Sequence, residues 1–339
     1  MSVDRNSEKH VGAVLIAEIG SLITRVTLVD SVDGEYRLVG RAETFSSVEP
    51  PYRNAFFAVL EATSQLAESI GRQLLREGQL LMPQNDERDG VDRLLVTTSA
   101  AGAMALVITA VAQDVSARSA LHASRSTYTT VLQTVTLDDA ASQPIDTADD
   151  ASWIERQVQS LLSLQPDAVL IAGGLEGGAV DAVNRLAHIV GLTALRVSVD
   201  ASGQQRQDIT ARPVIYAGNS TARERVIEAL SARAEIFVVD NVRPALEQEQ
   251  LEAARAEIAK LYDKYILSRL PGIGPLRRLA SAPPLTVCHA EGLMTRFAAE
   301  RSGRRVLLLD AGASSTTAML ALPGRFHTAV IGDSGTSYH

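Results

Sequence analysis

Ala17-Glu-Ile-Gly-Ser-Leu-Ile-Thr-Arg25 and Leu309-Asp-Ala-Gly-Ala-Ser-Ser-Thr-Thr-Ala318 carry one design at opposite ends of the chain. Each follows an apolar, strand-like run, turns at an acidic-x-Gly step, and re-enters β-rich sequence through hydroxyl residues. The pattern makes physical sense as a phosphate clamp. Glycine lets backbone N–H groups approach phosphate oxygens, hydroxyls add hydrogen bonds, and a carboxylate organises hydrated magnesium. The candidate binding residues are Glu18, Gly20, Ser21 and Thr24 in the first segment. In the second they are Asp310, Gly312, Ala313, Ser314 and Ser315, with Glu18 and Asp310 as candidate metal carboxylates. One such turn is an ordinary hairpin; a matched pair predicts two hairpins facing a common cleft.

Outward from the first hairpin, Val11 to Phe45 reads as three strands broken at Gly20-Ser21 and Asp33-Gly34, an antiparallel meander. Asn54 to Arg76 repeats apolar residues at helical spacing behind an Asn54 N-cap, and Val91 to Thr97 is a buried strand. The β-branched cluster Val107, Ile108, Thr109 and Val111 predicts a strand, with Ser116 capping a helix to His122 and a further strand over Tyr128 to Thr136. Asp138 to Asp150 is acidic and apolar-poor, a linker signal. Three strand–turn–helix units follow, at Ala168–Ala172, Val214–Ala217 and Ile236–Val239, which predicts a parallel sheet. Gly173 and Gly174 end the first of these strands, so they are either a tight strand-to-helix turn or an anion contact. Gln248 to Leu270 is an amphipathic helix broken by Pro271-Gly-Ile-Gly-Pro275, and Val306 to Val330 returns to strands.

The 339 residues are 46% apolar with 12 prolines, enough to bury substantial cores. A formal charge of −8 gives no footprint for nucleic acid or an anionic membrane, and no apolar run is long enough for a membrane helix. A cytoplasmic protein is the expectation. The single cysteine, Cys288, reads as a buried structural thiol. His122, His188, His289 and His327 stand alone in unrelated segments and read as structural, and Asn219 reads as an N-cap.

The two hairpins resemble the phosphate motifs of the actin, hexokinase and heat-shock chaperone ATPase superfamily. Six collinear blocks narrow the resemblance: E-I-G-S, T-S-A-A-G-A-M, V-L-I-A-G-G-L-E-G-G, V-I-Y-A-G-N, V-V-D-N-V-R-P and L-L-L-D-A-G-A-S-S-T-T. In this order the chain is similar to the MutL (GlmL) family associated with glutamate mutase and related cobalamin enzymes. The resemblance implies an α/β fold. A ribonuclease-H-like domain over 1–137 precedes a parallel α/β domain at 150–245, a helical connection at 246–299, and the start of a second ribonuclease-H-like domain at 300–339. It implies ATP and Mg2+ as ligands, and a cobalamin-dependent mutase as partner for an accessory or chaperone role; homo-oligomerisation stays open. A degenerate scaffold and a small-molecule kinase are the alternatives. It also implies a further helix-rich segment after the final residues, IGDSGTSYH. The chain departs from the family pattern in four places: Glu18 for aspartate, Ser21-Leu22 for a small hydroxyl pair, Ala313 for the second glycine, and Thr317 for a final aspartate.

Overall fold

The computed structural model describes residues 12–138, 149–199 and 205–337. The meander forms as β1 (Val14–Ile19), β2 (Ile23–Val32) and β3 (Glu35–Phe45). In β1 and β2 alternate side chains point inward, among them Leu15, Ala17, Ile19, Val26 and Leu28, the period-2 pattern of a half-covered sheet. Helix α1 (Ala55–Ile70) covers it. Its Asn54 side chain accepts from Phe56 N–H, the cap the sequence predicts, while Gly71 in the left-handed region ends the helix at Ile70, short of the expected Arg76. A short hairpin, β4 (Leu75–Arg76) and β5 (Gln79–Leu80), leads to β6 (Arg93–Thr98), which pairs parallel to β1.

The chain then leaves this sheet. Strand β7 (Met104–Ala110) precedes a π-helical turn (Gln113–Ala117), helix α2 (Arg118–Ser124) and β8 (Thr129–Thr136). Ser116 does not cap the helix. Its buried hydroxyl accepts from Ala112 N–H and donates to the Ala112 carbonyl, because helical turning already starts at Gln113. After α3 (Asp149–Leu164) come β9 (Ala168–Ala172), α4 (Asp181–Thr193), β10 (Leu195–Val199), β11 (Gln205–Tyr216), α5 (Arg223–Leu230) and β12 (Ala234–Val238).

Strands β12, β11, β9, β7 and β8 lie side by side and parallel in that order, with β10 antiparallel on β11. The parallel sheet is therefore not confined to 150–245. It recruits β7 and β8, and the acidic stretch at 138–150, of which 139–148 fall outside the described residues, does not divide one sheet from another. The physical reason is burial. Strand β9 is buried at all five positions, so it needs cover on both faces and a neighbour on each edge. Leu106, Ile108, Leu170 and Ile215 join the core shared with the meander, while Val107, Val169, Ile171 and Val214 pack a second core with α3 to α5.

Helices α6 (Glu252–Tyr265) and α7 (Ile273–Leu279) lead back to the first sheet. There β13 (Leu285–Thr286) pairs parallel to β6, so the chain re-enters the sheet beside the strand from which it left. Helix α8 (Val287–Ser302) then carries it into a second meander, β14 (Val306–Ala311), β15 (Thr316–Leu322) and β16 (Arg325–Ile331). Among the described residues no helix is long and apolar enough to cross a membrane.

Candidate functional site

The two hairpins share one loop geometry. Ile19 pairs with Thr24 and Ala311 with Thr316, leaving the loops 20–23 and 312–315. In each, the glycine N–H closes the loop on the carbonyl three residues on: Gly20 to Ile23 and Gly312 to Ser315, both 2.9 Å. No acceptor among the described residues takes the tip N–H groups of Ser21, Leu22, Ala313 or Ser314. Both loops open onto a single cleft of about 190 Å³, bordered by Glu18, Gly20, Ser21, Arg25, Ser99, Val287, Asp310, Gly312 and Ala313. The matched segments thus meet, as their design predicts.

The remaining candidates lie elsewhere. Thr24 is wholly buried and bonds to Ser46, whose hydroxyl donates to the Gly20 carbonyl, so it braces the hairpin from behind. Ser315 is buried too, and neither it nor Ser314 borders the cleft. Gly173 and Gly174 line no part of it. They sit at the end of β9 with φ of 136° and 71°, where a Cβ would press on Val111 and on the Ala179 carbonyl. The N–H groups of Glu176, Gly177 and Gly178 in that turn are already bonded to Pro244, Asn219 and Leu175. This glycine-rich run is a strand-to-helix turn with those three donors spent, and it lies apart from the hairpin cleft.

The second hairpin is held by the end of the described chain. Thr336 N–H donates to the Gly312 carbonyl and Ser337 N–H to Ala313, both at 2.9 Å. A Cβ on Gly335 would collide with the Ala313 carbonyl oxygen, so only glycine permits this approach.

The electrostatics are uneven. Arg25, opposite Glu18 in the ladder, binds its carboxylate at 3.2 Å and Glu43 at 3.2 Å. Asp310 faces a group that the sequence reading passed over, Glu291, on the face of α8 that follows the cleft-lining Val287. Burial first, then the Asp310 and Glu18 carboxylates, push Glu291 up to about 7. Its Oε2 is buried with no hydrogen-bond partner, so the neutral carboxyl is the form this surrounding favours. Thr317 pairs with Asp310, is 1% exposed, and leaves its hydroxyl without a partner. Among the described residues no group of three His, Cys, Asp or Glu side chains is set to hold a metal. Magnesium held by one or two carboxylates plus phosphate and water needs no such cage, so Glu18 and Asp310 fit that mode.

Cys288, beneath the cleft, is buried, and burial pushes its thiol up, which fits the structural role read from the sequence. Asn219 accepts from Thr221 N–H, the expected cap.

A meander closed by an acidic hairpin, built twice around one cleft on a mixed α/β body, places the molecule in the actin-like ATPase fold class. The chain belongs to the MutL protein family, whose model matches residues 14–329. No curated protein matches. Among solved structures it is similar to a nucleotide-free acetone carboxylase, with 12% identity, TM-score 0.32, and coverage of 93% of this chain and 44% of that one. It is also similar to a Ppx/GppA family member of Aquifex aeolicus, with 9% identity, TM-score 0.20, and coverage of 96% and 52%. A third is a reductive activator for a corrinoid, iron-sulfur protein, with 10% identity, TM-score 0.27, and coverage of 96% and 31%. The chain spans about half or less of the length of these three structures.

Proposed function

We propose that this chain is a nucleotide-responsive accessory protein of a cobalamin-dependent mutase, with the polyphosphate of ATP gripped between its two hairpins. The observation that carries the reading is the pair of identically closed loops bordering one cleft, with the tip amides of Ser21, Leu22 and Ala313 unbonded there. Ser21 and Leu22 on one side, and Ala313 on the other, donate backbone N–H groups to phosphate oxygens. Glu18 and Asp310 hold magnesium through its water shell, and the ion neutralises charge on the phosphates. Membership of the MutL family supports the mutase partnership.

Hydrolysis is slow in this reading. Ala313 adds a β-carbon at a phosphate loop, and Thr317 offers no carboxylate beside Asp310. A second reading, a scaffold that binds without turnover, is favoured by Arg25, a cation already seated on Glu18. Calorimetric titration of ATP with magnesium, against the wild-type chain and Asp310→Ala, tests the site. Binding lost in the variant supports it. The absence of heat with the wild type, or an affinity untouched by the substitution, refutes it.

A further inference from the structure

The parallel sheet has a reversal of direction that the hairpin cleft does not use. From β7 the chain moves outward to β8, then crosses back to place β9 on the other side of β7. The segments following β7 and β9 therefore part, one into the π-helical turn and α2, the other into the glycine turn and α4. Such a parting at the carboxyl ends of parallel strands leaves a crevice where α/β proteins take ligands. A crevice of about 300 Å³ lies there, and it shares no residue with the hairpin cleft.

Its walls are apolar on both sides: Val111, Ala112 and Val115 after β7, Leu175 and Ala179 after β9, with Leu246 at the rim. One charged side chain lines it, Arg243. Asn241 fixes the Arg243 backbone by accepting its N–H at 3.0 Å. Glu249 holds one end of the guanidinium, Nη1, at 3.3 Å, while Nε is buried with no acceptor. A buried donor without an acceptor is costly in a finished fold, and here it belongs to the one cation of an apolar crevice. The π-helical turn that supplies Val115 is a second irregularity, and such turns gather at functional sites.

The same geometry selects the ligand. The N–H groups of Glu176, Gly177 and Gly178 are already bonded, and the Glu176 carboxylate stands in the same turn, which disfavours a multiply charged phosphate. One guanidinium donor above an apolar floor suits one carboxylate on an apolar body. We propose that the crevice between β7 and β9 binds a small monocarboxylic acid, its carboxylate on Arg243 and its hydrocarbon body against Val111, Val115 and Leu246. The assignment is independent of the nucleotide reading.

The test is methyl NMR on the full chain, labelled at Val and Leu and titrated with hexanoate, with hexan-1-ol as the uncharged control and inorganic phosphate as competitor. Hexanoate is expected to shift the Val111, Val115 and Leu246 methyls and to bind about tenfold more tightly than the alcohol. Arg243→Met removes the acid–alcohol difference and leaves alcohol binding in place. Ala179→Leu, which fills the crevice from a solvent-facing turn, removes both with unaltered thermal unfolding. Equal affinities for acid and alcohol, no shifts at these methyls, displacement by phosphate, or hexanoate binding that survives Ala179→Leu would each overturn the proposal. Should Arg243→Met not fold, the wild-type acid–alcohol comparison and Ala179→Leu decide it.

Discussion

Replacing Glu291 with glutamine isolates the proton that the cleft stores. Burial, with Asp310 and Glu18 adding to it, lifts this carboxyl from 4.5 to about 7 in the folded protein. Below the unfolded value both states carry the proton, and the group favours neither. As pH rises through the interval, the unfolded chain releases the proton while the folded chain keeps it, so stability falls, and the loss is complete once the folded group ionises. At about 1.36 kcal/mol per pH unit the interval corresponds to roughly 3.4 kcal/mol. The side chain is only half-buried and water screens it, so about 1.5 kcal/mol is the expected effect. Glutamine keeps the shape and cannot ionise. Urea unfolding at about pH 4 and about pH 8 should give nearly equal stabilities at the lower pH, and a variant about 1.5 kcal/mol more stable at the higher. An offset between the two proteins that is the same at both pH values would refute the placement of Glu291 among the hairpin carboxylates.

Three further outcomes follow from named contacts. Asp30 is buried on β2 and bonds to Arg72 at 2.8 Å and Gln84 at 3.1 Å. Burial pushes its carboxyl up, but Gln84, Arg72 and the Ser31 N–H outweigh that and hold it below the usual range. Its contribution is therefore present above the unfolded value and lost as pH falls through the folded one. Arg72→Ala strands the charge and should cost about 3–5 kcal/mol by denaturant unfolding; a cost under about 1 kcal/mol would contradict that burial. Thr317→Asp, which restores the family's residue type, buries a carboxyl beside Asp310 and should lower stability by about 3 kcal/mol without raising phosphate release. Faster ATP turnover in that variant would show that Thr317 alone limits the site. In a phosphate-release assay with magnesium, the unaltered chain should match its own Asp310→Ala variant, and robust turnover abolished by Glu18→Ala would show a competent second hairpin.

Local chemistry made the meander, the Asn54 cap and the paired acidic hairpins legible, because period-2 burial and turn residues act over a few positions. The partition between sheets was not legible. Strand β7 ends a short distance after β6, and nothing in its apolar run says that it pairs with β8 and β9 and not with its predecessor. Strand β13, two residues long, carries no periodic signal and owes its place to the free edge of β6. In the site, the acidic-x-Gly steps were visible, but Thr24 hydrogen-bonds behind the hairpin, and glycines such as Gly177 look the same in sequence whether their donors are free or spent. Glu291 escaped notice because its character depends on Asp310 and Glu18, which are distant along the chain.

The parallel body leaves the first sheet after β6 and returns to it through β13, with Thr97 beside Leu285 and Thr98 beside Thr286. Both stems therefore emerge at one edge of the sheet, and the first residue past each strand, Ser99 and Val287, borders the hairpin cleft. These two adjacent crossings are the covalent ties, and the core that the body shares with the meander fastens it over a wider area. Ser99 N–H is pinned to the Ile19 carbonyl just before the first acidic turn, so the first crossing is clamped to the strand that ends in that turn. The cleft is thereby built at a seam, where the joints between two sheets and the bends of a phosphate loop are the same few residues.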